Sequence, residues 1–491
     1  MFARLKAIPF PILLTVMTVL RLVAAARAPL VPDETYYALW ARHPAVGYYD
    51  HPPTVAWWID ATSVFASAAL SIRLLFVLSF IALSWLVFDT GKTLFGSAVA
   101  RRSLLWLNAC LMLSVGTVLA TPDPPSVLMW AGGLWALARL QASGKGYWWL
   151  VFGLFAGLGV EAKYTNFFLG LGVVLWFMLD REARKSLLTP WPYLGGLVAV
   201  AAMAPNLLWN AQHHWLTLAK QFGRITPGHL TAKYLIEFVV SQPALLNPLI
   251  FVFVVVAAMA WWKGRDDRRL ALLVALPAPA IAYMLVHVFH DRIQGNWTAP
   301  LFPGLVVLAA VGAEGITGKW LVRCRDWAAP LGIGLSALAL VVLDLGSAMP
   351  AIGAAGSGQG WDRLSRDIGV RATTAGASWI APMDYDTEGE LSYHLRGSDI
   401  TAMEERDRYN WPNADAAHVA QVALIVVPAD RHPLLDHCFN GLSDLGVLSR
   451  GVKHNARSEF HLYSGRLTMT GCEVEEATTP ANAAVSSVKG R

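Results

Sequence analysis

Apolar side chains in this chain come in long, nearly unbroken blocks rather than alternating or recurring at every third or fourth position. Eleven blocks stand out, at 8–28, 71–89, 103–120, 124–141, 147–162, 164–180, 191–209, 242–262, 270–289, 297–316 and 327–346. Each is roughly 20 residues, the length at which a helix rising about 1.5 Å per residue crosses a hydrocarbon core of about 30 Å. The pattern predicts an all-α polytopic membrane bundle of about 11 transmembrane helices over 1–349, with outer loops at 29–70 and 210–241. From about residue 350 the hydropathy falls, and stretches such as "SWIAPMDYDTEGELSYHLRG" and "QVALIVVPAD" read as alternating strands and helices. A C-terminal soluble α/β domain is expected over 350–478, followed by a disordered tail at 479–491.

The first block follows Arg4 and Lys6 and ends in "AAARAPL", so a cleavable signal peptide competes with a retained span. Cleavage after Ala28 would leave Pro29 beside the cut, an unfavourable neighbour, and the block is long enough to cross. A retained span is expected.

Composition supports the same picture. Of 491 residues 55% are hydrophobic and only 15% charged, against roughly 25% charged in soluble domains. Lys and Arg set the orientation. With the amino terminus in the cytoplasm, the cytoplasmic loops hold most of the cations, among them Arg101, Arg102, Arg184, Lys185, Arg268 and Arg269. The opposite loops hold few, chiefly Arg42, Lys163, Lys220, Arg224, Lys233 and Arg292. The formal charge of +5 is therefore a topological signal, and no nucleic acid partner follows from it. An odd number of spans puts the C-terminal domain outside, where Cys438 and Cys472 are free either to pair or not.

This topology collects the unusual polar residues on one side of the membrane. The first outer loop, "VPDETYYALWARHPAVGYYDHPPTVAWW", carries Asp33, Glu34, Tyr36, Tyr49, Asp50 and His51. "TPDPP" brings Asp123, "EAKYTN" brings Glu161 and Lys163, and "HVFHDRIQGNW" brings Arg292 and Asn296. Outer loops must be polar, and Trp and Tyr gather at interfaces as anchors, which accounts for any one of these residues singly. It does not account for an Asp-Glu pair followed by "YYDHPP". "DETYYALWA" fits an amphipathic helix lying on the membrane with Asp33 as N-cap or first-turn acid.

Paired carboxylates, scattered cations and aromatic walls suit transfer of a sugar from a lipid phosphate carrier. Such a reaction needs a base for the acceptor hydroxyl, cations for the departing phosphate and stabilisation of an oxocarbenium-like transition state. "PDETYYALW…GYYDHPP", "TPDPP", "EAKYTN" and "NWTAPLFP", in this order, resemble the bacterial membrane glycosyltransferases related to protein O-mannosyltransferases and lipid A aminoarabinose transferases, within the GT-C superfamily. The resemblance covers roughly residues 8 to 320. It implies a GT-C type bundle in a bacterial inner membrane, a polyprenyl-phosphate-linked sugar donor, an inverting reaction at the outer face, and Asp33 as the leading catalytic candidate beside Glu34. Asp123 matches a family Asp that lines the donor or acceptor site.

The expected roles follow. Asp33 is the general base or acceptor-orienting group, with Glu34 and Asp123 shaping the site or helping to hold a divalent ion. His51, Lys163, Arg224 and Arg292 neutralise the donor phosphate; Tyr36, Tyr49, Asp50 and Asn296 face sugar or acceptor. The bland alternatives are a snorkelling charge for Lys163, headgroup contact for Arg224, and a turn cap or a His51-orienting group for Asp50. His51 stands where the aminoarabinose transferases carry Lys, which weakens phosphate binding near pH 7. His213 and His214 are adjacent without the spacing of a structural metal motif, and metal binding stays open. Lipid A or another envelope glycolipid is the first expectation for the acceptor and a protein hydroxyl the second. A transporter or flippase of a lipid-linked sugar is the rival class, although no internal repeat is visible. A non-catalytic receptor with a binding tail is another.

Overall fold

The computed structural model describes residues 10–63, 68–223, 230–264, 266–345, 358–409, 415–451 and 458–468. By contact density the chain divides into two compact units. One comprises residues 1–28 and 44–345; the other comprises 29–43 and 346–491.

The first unit is helical. Its principal helices are α1 (Phe10–Arg27), α3 (Thr54–Thr62), α4 (Ala68–Phe95), α5 (Ser97–Asn108), α6 (Leu111–Gly116), α7 (Asp123–Ser143), α8 (Trp148–Ala162) and α9 (Phe167–Leu179). They continue as α10 (Trp191–Gln212), α11 (Leu216–Gly223), α12 (Leu235–Leu246), α13 (Pro248–Gly264), α14 (Arg268–Ala275), α15 (Ala278–His287), α16 (Phe302–Gly312) and α17 (Lys319–Leu345). Helix α2 (Pro32–Arg42) belongs to the second unit. Every apolar block of the sequence overlaps at least one helix. Among the described residues, five helices are individually long and apolar enough to cross a membrane, and the shorter apolar helices α8 and α9 add to them.

Three blocks are interrupted, 270–289 only briefly at Leu276–Pro277 between α14 and α15, and two others more sharply. Block 103–120 is split into α5 and α6 at Ala109–Cys110. The run into 242–262 breaks between α12 and α13 with a 100° bend, where Pro248 cannot donate to the helix ladder. The breaks satisfy each other. Asn247, with φ of 108°, donates from Nδ2 to the carbonyl oxygens of Ala109 (3.4 Å) and Ala328 (2.8 Å). Buried Arg21 of α1 donates to Ser114 O at 2.8 Å and Ser114 Oγ at 2.6 Å, fixing α1 to α6.

Helix contact in the bundle rests on small residues, as it must where lipid is as apolar as the side chains. Gly153 and Gly157 of α8 lie directly against the backbone carbonyls of Gly195 and Ala199 in α10, where a Cβ would clash. A continuous core including Trp106, Trp130, Trp149, Trp176 and Phe253 fills the interior. Leu197, Leu208, Val240 and Met259 are more than half exposed, which suits a lipid-facing surface and not a water-facing one.

The second unit holds a four-stranded sheet of order β1-β2-β4-β3: β1 (Trp379–Pro382), β2 (Val422–Pro428), β3 (Phe439–Ser449) and β4 (Glu459–Leu467). The β1–β2 pair is parallel and the others antiparallel. Helices α18 (Trp361–Thr374) and α19 (Tyr385–His394) complete it. Leu424 and Val426 join one apolar cluster and Ala423, Ile425 and Val427 another. Strand β2 is thus covered on both faces, which is why "VALIVV" does not alternate. Cys438 is buried here; Cys472 and the tail at 479–491 lie outside the described residues.

Candidate active site

Asp123 opens α7, and its position is set by "PDPP". Prolines fit a first helical turn, whose N–H groups have no intrahelical partner. Lys163 follows α8 at once, in extended backbone (φ −162°, ψ 134°), so that its side chain leaves the helix axis. The two meet: Lys163 Nζ donates to Asp123 Oδ1 at 2.6 Å, with side chains only 11% and 10% exposed. Asn296 Nδ2 donates to Asp123 Oδ2 at 2.8 Å. Three separated motifs, "TPDPP", "EAKYTN" and "NWTAPLFP", therefore converge on one carboxylate.

A buried polar network extends from this point. Glu161, fully buried, accepts the Asn206 backbone N–H at Oε1 (3.2 Å). That amide follows Pro205, whose ring disturbs the helix ladder of α10. Tyr164 donates its hydroxyl to Asn206 Oδ1 at 2.6 Å, Asn210 Nδ2 donates to Tyr164 Oη at 3.2 Å, and Asn166 Nδ2 donates to Ser126 Oγ at 2.5 Å. Among the described residues Glu161 Oε2 has no hydrogen-bond partner.

The loop before α3 is tied onto this network. Thr54 Oγ1 donates to the Glu161 carbonyl at 2.7 Å, and Thr217 Oγ1 of α11 donates to the Tyr48 carbonyl at 2.7 Å. Trp57 Nε1 donates to Ala45 O at 2.9 Å. The Tyr48 hydroxyl accepts from Ala45 N at 3.0 Å, and burial pushes the phenol up to about 12, so it stays neutral. Held in this way, Asp50 is buried and pairs with Lys220 of α11. Gln221 Nε2 donates to Asp50 O at 2.8 Å, and Lys220 Nζ lies 4.2 Å from the centre of the Tyr49 ring. His51 is half-buried next in the chain.

Arg292 gives its guanidinium to Glu237, Nε to Oε1 at 2.8 Å, in an exposed pair. Arg224 lies outside the described residues. Asp33, Glu34 and Tyr36 are in α2, in the second unit. Asp33 is in the first turn of α2 and exposed, whereas Glu34 is buried and its Oε2 accepts from Val31 N at 3.0 Å, closing the helix start. Tyr36 is 2% exposed, with its ring against Trp40 and Tyr385. Among the described residues no group of three or more His, Cys, Asp or Glu side chains could hold a metal ion. His213 Nδ1 faces Trp209 O at 2.8 Å and its ring stacks on Trp209, while His214 is exposed. No chemical step is assigned to a metal ion.

Lys220, Glu161, Tyr164, Asn206 and Asn210 were not among the residues the sequence singled out as site groups. A signal was present for the last two. Amides at i and i+4 share a helix face, and "PNLLWN" sets that pair inside an otherwise apolar block.

The chain is similar to known proteins in sequence and in fold. Residues 50–209 match the family described as dolichyl-phosphate-mannose-protein mannosyltransferase. The lipid A galacturonosyltransferase RgtD of Rhizobium johnstonii is 26% identical over 383 residues, covering 74% of this chain and 77% of that protein. The fold is that of ArnT from Cupriavidus metallidurans. Its crystal structure bound to undecaprenyl phosphate superposes with a TM-score of 0.67 at 16% identity, covering 92% of this chain and 97% of that one. The apo structure of the same protein gives 0.64.

Proposed function

We propose that this chain, a multi-pass membrane glycosyltransferase of the GT-C type, moves a sugar from a polyprenyl-phosphate-linked donor to an envelope glycolipid of the lipid A kind. The observation that carries the reading is buried Lys163, an ammonium at the end of an apolar helix, oriented by Asp123 at 2.6 Å. Ionised groups are expensive at such a position, which makes this pair a candidate functional site. The relative named as a lipid A galacturonosyltransferase supports the acceptor class, and the ArnT complex with undecaprenyl phosphate supports the carrier.

In the reaction proposed, the acceptor oxygen forms a bond to the anomeric carbon from the face opposite the phosphate. Asp33 takes the hydroxyl proton. The bond from the anomeric carbon to the phosphate oxygen breaks, and its electron pair leaves with the polyprenyl phosphate, so the configuration inverts. Lys163 and Lys220 hold the charge that grows on that phosphate, while Asp123 and Asp50 loosen their hold. Tyr49, beneath the Lys220 ammonium, offers a ring face to the sugar. The outer face of the membrane is the proposed location, with the amino terminus cytoplasmic.

A protein hydroxyl as acceptor is the second reading, favoured by the match of 50–209 to a protein mannosyltransferase family. Mass spectrometry of envelope lipids and glycoproteins from cells with and without the gene separates the two. Loss of one sugar from a glycolipid is expected; loss confined to glycoproteins would select the second reading, and no change in either would overturn both.

A further inference from the structure

We infer that the C-terminal domain is the holder of the Asp33 helix, with Gly389 and Arg42 as the positioning residues that fix where Asp33 stands. The inference rests on the role proposed for Asp33. It gives this domain a part in catalysis.

The first outer loop does not form one structural piece. Its segment 44–63 lies in the helical unit, whereas 29–43 forms a compact unit with the C-terminal domain. The attachment is made at three points along α2. Before the helix, the Leu30 carbonyl lies directly against Gly358, with no room for a Cβ. In the middle, Gly389 of α19 meets the α2 backbone. A Cβ at Gly389 would lie 2.8 Å from Tyr36 N, 3.1 Å from Tyr36 Cα and 3.2 Å from Thr35 C. These are backbone atoms, which cannot rotate out of the way as a side chain can. At the far end, Arg42 Nη1 donates to Ser392 O of α19 at 2.9 Å.

Aromatic packing fixes the rotation of the helix as well as its distance. The Tyr36 ring lies 5.0 Å from Tyr385 and 6.4 Å from Tyr409, edge-on to both, and 4.8 Å from Trp40. Arg408 covers the other partner, with its guanidinium 4.1 Å from the Tyr385 ring centre. Residues 34–41 are buried by this packing and Asp33 is left exposed. The C-terminal domain therefore chooses which of the two adjacent carboxylates is presented. Glu34 is turned inward to close the helix start, and Asp33 is turned out.

A base must be held within a fraction of an ångström of its proton, and a displacement of about 1 Å can cost on the order of 100-fold in rate. Gly389→Ala pushes α2 away from its support without altering Asp33. In purified full-length protein with a polyprenyl-phosphate sugar donor, kcat should fall about 10-fold or more, with the donor KM within about twofold of wild type. Arg42→Gln should lower kcat by a smaller factor, and Arg42→Lys should recover it. Asp33→Asn added to Gly389→Ala should lose far less than the product of the two separate effects, because both remove the same base.

The controls separate this inference from the reading beneath it. If Asp33→Asn abolishes transfer but folded Gly389→Ala keeps wild-type kcat, the positioning role is overturned and the base assignment stands. If Gly389→Ala does not fold, Arg42→Gln decides, and wild-type kcat there overturns the inference. Near-normal transfer by Asp33→Asn sinks the base assignment, and the positioning role falls with it.

Discussion

Removing the Lys163–Asp123 pair in two steps distinguishes a structural ion pair from a ligand-binding one. At 2.6 Å and an effective dielectric constant of about 20, the raw attraction is about 6 kcal/mol. Desolvation of two groups that are each about nine-tenths buried consumes most of it, since burial costs several kcal/mol per ion. Removing one partner is the severe change. Asp123→Asn or Lys163→Met alone leaves an uncompensated buried charge and should cost about 3–5 kcal/mol of stability. Asn296, which donates to Asp123 Oδ2 at 2.8 Å, softens the loss in Lys163→Met more than in Asp123→Asn. The double variant buries no charge and should recover most of the stability. Transfer should not recover with it. If Lys163 grips the donor phosphate, the lost charge-assisted hydrogen bond is worth about 1.5–3 kcal/mol, or roughly 10- to 150-fold in donor affinity. The assay is thermal unfolding of detergent-purified protein beside donor titration of sugar transfer. A double variant that regains both stability and donor affinity would refute the reasoning and leave the pair as packing.

Three further outcomes are expected. Asp33→Asn should lower transfer by about 10² to 10⁴ while donor binding persists, whereas Glu34→Gln should cost about 1 kcal/mol of stability through the helix start and keep most of the activity; the reverse ranking in a transfer assay would move the base to Glu34. Burial pushes the Glu388 and Glu390 carboxyls up to about 7, opposed by Tyr409 and His394 respectively. Folded values above the unfolded ones mean stability that is complete below about pH 4.5 and lost as pH rises through about 7, on the order of 3 kcal/mol per group. The Tm of full-length protein should therefore fall from pH 5 to pH 8, and the double Glu→Gln variant should flatten that slope; identical slopes would rule the assignment out. Reporter fusions should find residues near 265 in the cytoplasm and residues near 30, 220 and 400 outside, and a cytoplasmic reporter at 400 would reverse the proposed orientation.

The helical bundle was legible because lipid-facing and buried surfaces are both apolar, so hydropathy alone outlines the helices. What hydropathy cannot see is a break satisfied from elsewhere. Asn247 makes the interruption at Ala109–Cys110 tolerable from 138 residues away, and nothing within 103–120 announces it. The convergence of Asp123, Lys163 and Asn296 was legible only as three polar motifs near helix ends. Lys220 was not legible as a site residue, because its partnership with Asp50 depends on a loop folded by long-range contacts from Thr54 and Thr217. Likewise, "DETYYALWA" forms a helix with a first-turn acid, but not the amphipathic one expected, since Glu34–Ala41 are all buried; the support that buries them includes Gly389, about 350 residues downstream. Backbone-to-backbone contact of that kind leaves only a glycine in the sequence.

Each described cation of the proposed phosphate site already holds a carboxylate: Lys163 holds Asp123 and Lys220 holds Asp50. At rest such a site is electrically quiet. The headgroups of a bilayer are mostly phosphodiesters with a single negative charge, and a partner of that charge gains little by displacing a carboxylate already in place. The sugar donor is a phosphodiester too. Its phosphate becomes a monoester, richer in negative charge, only as the bond to the sugar breaks. The paired lysines would then attract the phosphate most strongly where charge has accumulated, which favours the transition state over the bound donor. The same exchange would favour the spent lipid phosphate over the intact donor as a ligand of the site, so that product inhibition by the lipid phosphate is expected.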